Sequence, residues 1–143
     1  MNNKFLITLI IGLGSVALIG IFLFFGFGET KIPTQEENPL IRLDSPHAGE
    51  TIQNPLFIKG EARGNWFFEA TFPIVLTNWD GLIIAQSYAT ADGEWMTENF
   101  VPFYATLEFE KPDYGGKGFL ILQKSNPSGL PEHDDALEIP IKF

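Results

Sequence analysis

Few side chains in this 143-residue chain could carry out covalent or acid–base chemistry. There is no cysteine, and the two histidines, His47 and His133, lie near proline or glycine in stretches that predict loops. Nucleophilic catalysis needs a nucleophile next to a base that a third group orients, whereas Ser128 in "NPSG" is typical of a turn. We therefore expect no catalytic residue and no enzymatic activity.

The carboxylates do not form a recognisable catalytic or metal-binding set. Glu108 and Glu110 are two residues apart, which places both on the solvent side of a strand rather than around a scissile bond. The oxygens of "EHDD" (132–135) could ligate calcium weakly, but their spacing is not that of a dedicated calcium loop. We therefore expect no metal and no cofactor.

Aromatic side chains are concentrated in "RGNWFFEATF" (63–72), which predicts a connection between two strands. One interpretation places Phe68 and Phe72 in the core, with Trp66 covering the sheet edge. The other makes Trp66 part of a ligand or glycan platform that includes Trp79 and Trp95, since exposed rings bury large areas on a partner.

Glu69 follows these rings directly. It could accept hydrogen bonds from loop N–H groups, pair with Arg63, or contact a ligand. The candidate interaction residues are therefore Trp66, Phe67, Glu69, Trp79 and Trp95.

The charge balance bears on the choice of partner. With 18 acidic and 9 basic side chains the net charge is −9, and such a surface repels phosphate backbones, so we expect no nucleic-acid partner. The absence of cysteine also excludes disulfides and a lipid on an N-terminal cysteine. Any attachment to a membrane must therefore be made by the peptide itself.

An uncharged apolar stretch, "FLITLIIGLGSVALIGIFLFFGF", runs from Phe5 to Phe27. As a helix it would be about 35 Å long, enough to span the bilayer core. It is longer than the apolar part of a secretory signal, and bulky rings occupy the place of a cleavage site. We expect an uncleaved signal anchor; a cleaved signal and a buried core helix are the alternatives.

Lys4 precedes this stretch and Glu29 follows it, which predicts a cytoplasmic N-terminus. We therefore expect a single-pass protein of the plasma membrane whose C-terminal domain is extracytoplasmic and whose residues 5–27 contact the lipid bilayer. Three parts are predicted: residues 1–28 (cytoplasmic stub and anchor), 29–40 (polar linker) and 41–143 (folded domain). The span contains no Gly-x-x-x-Gly pair, and we expect a monomer.

Beyond residue 41 the pattern is one of short strands. "LFIKGEA" (56–62), "FYATLEFE" (103–110) and "ALEIPIKF" (136–143) alternate apolar and polar residues, so one face of each strand is predicted to be buried. "GFLILQ" (118–123) is apolar on both faces and favours a central strand. Pro140 lacks an N–H group, which favours an edge strand.

Asp-Gly pairs at 80–81 and 92–93 predict two hairpin turns. Seven or eight short strands with turns at this spacing favour an all-β, immunoglobulin-like sandwich of two sheets. A closed barrel is the alternative.

Five stretches are informative when taken in this order and spacing: "DSPHAGETIQNPLFIKGEA", "FFEATFPIVL", "WDG", "GKGFLILQKSNPSG" and "LEIPIKF". Together they resemble the immunoglobulin-like domain of bacterial spore germination proteins. This resemblance implies a β-sandwich module, extracytoplasmic, with no established catalytic activity and with a role in binding or scaffolding. Nothing resembles a germination-specific partner domain, so a role in germination itself is not implied.

These observations predict a membrane-anchored, non-catalytic module that binds or braces a component of the bacterial cell envelope, either a protein or a glycan. A protein partner would contact a sheet edge or the aromatic connection. A carbohydrate or cell-wall ligand would stack on surface tryptophans.

Overall fold

The computed structural model describes residues 38–143, so the predicted span at 5–27 and most of the predicted linker lie outside the described residues. Within 38–143, no helix has the length and apolar character needed to cross a membrane. The first strand begins at Ile41.

Seven β-strands make up the described chain. They are β1 Ile41–Ser45, β2 Leu56–Arg63, β3 Thr71–Asn78, β4 Ile83–Ala91, β5 Phe100–Leu107, β6 Lys117–Gln123 and β7 Ala136–Lys142. Two single-turn 3-10 helices, Gly64–Trp66 and Pro131–His133, interrupt the connections. Neighbouring strands pair antiparallel throughout. The all-β prediction is confirmed, and residues 38–143 contain no α-helix.

The strands follow the order β1-β2-β5-β4-β3-β6-β7 and fold over into two layers. Only two pairs, Thr90 with Tyr104 and Ala91 with Phe103, join β4 to β5, and this is the point where the sheet turns from one layer to the other. The Phe72 ring of β3 meets the Phe103 ring of β5 edge-on, with 4.9 Å between centroids. Since β3 and β5 are not neighbours in the sheet, this contact crosses the core. The fold is a sandwich with barrel-like continuity at one side.

After β1 the chain crosses to the other layer, where residues 49–52 run beside β7. We call these residues the edge segment. Thr51 forms a parallel bridge with Lys142, and the Ile52 N–H donates to the Lys142 carbonyl at 2.8 Å. The Gly49 N–H donates to the Pro140 carbonyl at 2.7 Å. Pro140 therefore lies on the last strand of the order, where its missing N–H group breaks no ladder, as predicted.

The predicted inward faces are confirmed. The apolar residues of the three alternating stretches are buried: Leu56, Ile58 and Ala62 of β2; Phe103, Ala105, Leu107 and Phe109 in and after β5; Leu137, Ile139, Ile141 and Phe143 in and after β7. Gly60 of β2 is buried with them. A Cβ at this position would overlap the Arg42 carbonyl and the Phe103 ring. The β6 strand lies between β3 and β7, which confirms its predicted central position.

Both Asp-Gly pairs lie in connections between antiparallel neighbours. The first forms a short turn in which the Asn78 side-chain oxygen accepts hydrogen bonds from the Asp80 and Leu82 N–H groups, and Gly81 takes φ +80°. The second begins a connection, residues 92–99, that is longer than the two-residue turn the pair predicts. The two strands that it connects, β4 and β5, pair with each other only through the two residue pairs that join the layers.

Candidate functional site

The opening of the aromatic connection turns inward. The 3-10 helix Gly64–Trp66 leaves Trp66 fully buried and Phe67 5% exposed. Trp66 and Phe67 both pack on Phe72, with centroids 6.3 Å and 5.3 Å away. The expectation that Trp66 and Phe67 offer an accessible contact surface is therefore wrong, because this turn directs both rings into the core. Phe68, which was expected in the core, is 46% exposed.

Contacts of both its ring and its backbone fix Trp66 in place. Its carbonyl accepts a hydrogen bond from the Ser125 N–H at 3.0 Å, which joins this connection to the residues after β6. Its indole Nε1 is buried without a hydrogen-bond partner among the described residues. Buried polar groups are usually paired, so apolar contacts rather than polar ones fix this side chain.

Glu69 lies at the tip of a tight turn. Glu69 and Ala70 have φ of 50° and 61°, and the flanking residues Phe68 and Thr71 exchange N–H to carbonyl hydrogen bonds of 2.9 and 3.1 Å. Positive φ at both central residues is the geometry of a type I′ hairpin turn. The Glu69 side chain is exposed at this tip.

The predicted pairing of Glu69 with Arg63 is not found. Arg63 donates instead to the Glu98 carbonyl at 3.1 Å, and its guanidinium lies 4.0 Å from the centre of the Phe100 ring. Arg42 stacks on the same ring at the same distance. Within residues 38–143 the one close contact between a basic and an acidic side chain joins His47 Nδ1 to Glu50 Oε2 at 3.3 Å.

The three tryptophans do not form one platform. Trp66 precedes β3 and Trp79 follows it, so the length of this strand, about 26 Å at 3.3 Å per residue, separates them. Trp95 is half-buried beside Gly64, at the Trp66 end. Only Trp79, which is 56% exposed, offers most of its indole to solvent. Its other side lies against Gly115, where a Cβ would overlap the ring.

The histidines are likewise far apart. His47 lies in the connection after β1 and His133 in the second 3-10 helix before β7, at opposite ends of the sandwich. In the part of the chain that the structure describes, no three His, Asp or Glu side chains are grouped as a metal site. In "EHDD", Asp134 and Asp135 accept hydrogen bonds from the side chains of Asn126 and Asn38 at 2.7 and 3.1 Å.

The outer side of the layer β4-β3-β6-β7 is poor in charge over two of its strands. From Thr71 to Ala91, the two strands β3 and β4 and their turn contain a single charged residue, Asp80, which lies in the turn. Val75 shows that β3 is apolar on both sides, because it is only 7% exposed yet does not belong to the core cluster. A strand that is apolar on both faces is typical of a sheet covered on both sides.

Strand register defines this surface, which we call the uncharged face. One row across the layer is Ile83, Thr77, Phe119 and Pro140, and the next begins with Gln86, Val75 and Ile121. Tyr88 and Pro73 form a third pair. The outward members that remain most exposed are Tyr88 at 65%, Ile83 at 53% and Phe119 at 39%.

The charged outward side chains of this layer lie on β6 and β7, and Glu69 and Asp80 lie in the turns at the two ends of β3. On β7, Glu138 and Lys142 point outward two residues either side of Pro140; Glu138 pairs in register with Ile121, and Lys142 with the exposed Lys117 of β6. Trp79 and Leu82, which is 61% exposed, lie in the turn that joins β3 to β4, the two strands of the layer that are farthest from β7. Trp79 is thus the one tryptophan among the predicted interaction residues that adjoins this surface.

The outer side of the other layer is charged instead. An open hollow of about 420 Å³ there is lined by side chains of both signs, including Asp44, Lys59, Glu61 and Asp92. The two outer surfaces therefore differ in charge on their central strands, although both expose aromatic rings: Phe57 and Tyr104 on this layer, Tyr88 and Phe119 on the other.

A comparison with families of known proteins gives one match. The model of Gmad2, described as the immunoglobulin-like domain of bacterial spore germination, matches residues 40–129. The matched range contains β1 to β6 and ends before β7. Curated proteins and solved structures gave no match to the chain.

Proposed function

Because this chain belongs to the Gmad2 family of immunoglobulin-like domains, we propose that it is a non-catalytic binding module of the bacterial cell envelope. In this proposal residues 5–27 hold the sandwich outside the plasma membrane, and the uncharged face binds protein. One observation carries the choice of surface: in a chain of net charge −9, the outward side of β3 and β4 bears no charged side chain.

The energetics favour a covered face. Soluble monomers rarely expose a contiguous apolar patch larger than a few hundred Å². Burying a large apolar side chain contributes about 1.5–3 kcal/mol, and Ile83, Phe119 and Tyr88 are all still exposed. A partner that covers them would gain this free energy without having to desolvate a carboxylate.

Crosslinking from inside the face tests the choice of surface. A photo-crosslinking phenylalanine analogue in place of Phe119, in the full-length chain in cells, should give a covalent adduct with protein. The same analogue in place of Tyr104, which is 53% exposed on the other layer, is the control. Equal adduct yields from both positions, or none from Phe119, would contradict the proposal.

Membrane attachment requires a separate test. The full-length chain should stay in the membrane fraction after alkaline extraction, and a variant without residues 5–27 should not. Protease added to intact cells, with the outer membrane opened if there is one, should degrade the folded domain. A domain protected in intact cells but cleaved after lysis would contradict the extracytoplasmic orientation.

A carbohydrate or cell-wall ligand is the second candidate, and Trp79 is the observation in its favour. An exposed indole backed by the Gly115 backbone is a rigid surface on which a sugar ring can stack. Cell-wall fragments should then change the tryptophan fluorescence of the wild type and not that of Trp79→Phe. If the wild-type emission is unchanged at saturating fragment concentrations, this candidate is excluded.

A further inference from the structure

We infer that the uncharged face binds the same face of a second copy of this chain, around a two-fold axis that runs along the row of Ile83, Phe119 and Pro140. This inference rests on the proposed function, since it names the protein that covers the face. It departs from the monomer that the sequence predicted. The argument uses charge, symmetry and area.

Charge limits where two copies can meet. Residues 38–143 contain fifteen acidic and seven basic side chains, a net charge of −8, so two copies repel each other overall. The outer side of β1 and β2 carries charged side chains of both signs, namely Arg42, Asp44, Lys59, Glu61 and Arg63, which a contact there would have to desolvate or pair. Contact across β3 and β4 avoids that cost, because their outward positions carry no charge.

The border of the face is complementary to itself. Glu138 and Lys142 point outward on β7 at equal distances from Pro140, and neither forms an ion pair within residues 38–143. A two-fold axis through Pro140, lying between the two sheets and perpendicular to the strands, exchanges these two positions. Glu138 of each copy then faces Lys142 of the other, which gives two identical ion pairs. Lys117, the register partner of Lys142, then lies opposite Ile121 of the other copy and beside that copy's Glu138.

The same axis lets each apolar residue of the row meet its own copy. Ile83 lies opposite Ile83, and Phe119 opposite Phe119, because rotation about the row leaves every position along it unchanged. Each copy would thus supply the second apolar layer that the uncharged face of the other lacks.

The area suits a reversible dimer. Four strands about 4.8 Å apart and about 26 Å long present roughly 500 Å² per copy, or about 1,000 Å² for the pair. This value is at the lower limit for specific protein interfaces. We therefore expect exchange between monomer and dimer rather than a permanent assembly.

Disulfide crosslinking gives a direct test, because the chain has no cysteine of its own. In the full-length protein in membranes, Ile83→Cys and Phe119→Cys should form a species of twice the monomer mass under mild oxidation. The control Tyr104→Cys has the same 53% exposure as Ile83 but lies on the other layer. We expect a yield at least fivefold higher from the first two. A yield no higher than that of Tyr104→Cys would overturn the inference.

Charge reversal separates the proposed geometry from a general apolar contact. Glu138→Lys and Lys142→Glu should each lower the Phe119→Cys dimer yield several-fold, since each places like charges face to face. The double reversal should restore it. Single and double variants that behave alike would contradict the axis through Pro140. Thermal unfolding of each variant checks that the fold is intact.

The photo-crosslinking experiment distinguishes this inference from the proposed function. If the analogue at Phe119 captures a different protein and the cysteine variants give no dimer, the face is a binding surface but not for a second copy. If neither experiment gives a product, both the face and its occupant are wrong.

Discussion

The Trp66 indole stands nearly perpendicular to the Phe72 ring, at an interplanar angle of 85° and a centroid distance of 6.3 Å. Phe72 in turn meets Phe103 of the other layer edge-on. These three rings, one each from the aromatic connection, β3 and β5, therefore form a continuous line of contacts across the core. Edge-to-face pairs of this kind add about 0.5–1.5 kcal/mol each to the free energy of burial. The part of the connection that carries Trp66 and Phe67 is thus built into the structural core.

Truncation of Trp66 should consequently cause a large loss of stability. We expect Trp66→Ala to lower the free energy of unfolding by about 3–5 kcal/mol, because it leaves a large cavity between the layers. Trp79→Ala, at an exposed indole, is the matched control and should cost less than about 1 kcal/mol. Urea unfolding followed by circular dichroism measures both. Similar losses for the two variants would contradict the assignment of Trp66 to the core.

The type I′ turn at Glu69 and Ala70 can be improved. Both residues hold positive φ, which costs side-chain-bearing residues about 1 kcal/mol each. Asn-Gly is the preferred pair for this turn, so Glu69→Asn combined with Ala70→Gly should raise the free energy of unfolding by about 1 kcal/mol. Glu94→Asn, at an exposed position of another connection, should change little. A double variant less stable than the wild type would show that the Glu69 side chain makes a stabilising contact.

The turn between β3 and β4 depends on Asn78. Its side chain is 2% exposed and its oxygen accepts hydrogen bonds of 3.0 and 2.8 Å from the Asp80 and Leu82 N–H groups. Asn78→Ala should therefore lower the free energy of unfolding by about 2 kcal/mol, since two backbone donors lose their partner. The exposed Asn65 provides the control, and Asn65→Ala should be nearly neutral. Equal effects would mean that the turn is held by other contacts.

The different exposure of the tryptophans predicts a quenching experiment. Acrylamide should quench the emission of Trp79 readily and that of Trp66 hardly at all, because the Trp79 ring is accessible and the Trp66 ring is fully buried. Trp79→Phe should remove most of the readily quenched fraction, whereas Trp95→Phe, at a half-buried position, should remove less. Unchanged quenching in Trp79→Phe would place the accessible indole elsewhere.

The faces of β2, β5 and β7 could be predicted because alternation of period two specifies which side of a strand is buried. The direction of Trp66 could not. It depends on the 3-10 turn Gly64–Trp66, whose residues carry no hydrophobic period, and on Ser125, which is distant in sequence. The turn at Glu69 was also hidden, since neither of its central residues is the Gly or Asn that usually marks positive φ.

The uncharged face has a local signal in the sequence that alternation of period two does not reveal. "TFPIVLTN" and "GFLILQ" are both largely apolar on two faces, which is typical of a central position in a sheet. Both strands are indeed central. A central position explains why a strand has two paired edges, but only a second covering layer explains two apolar faces. The almost complete lack of charge from 71 to 91 is the feature that distinguishes the two cases.

The edge segment also limits how copies of this domain can assemble. Residues 49–52 cover the outer edge of β7, and the remaining edge, β1, is five residues long, has a register shift between Leu43 and Ser45, and carries Arg42 and Asp44 outward. Short, charged and irregular edges resist the addition of further strands. Association through an edge could propagate into open-ended fibrils, whereas association through a face around a two-fold axis closes after two copies. This protection allows an apolar surface to be present without leading to polymerisation.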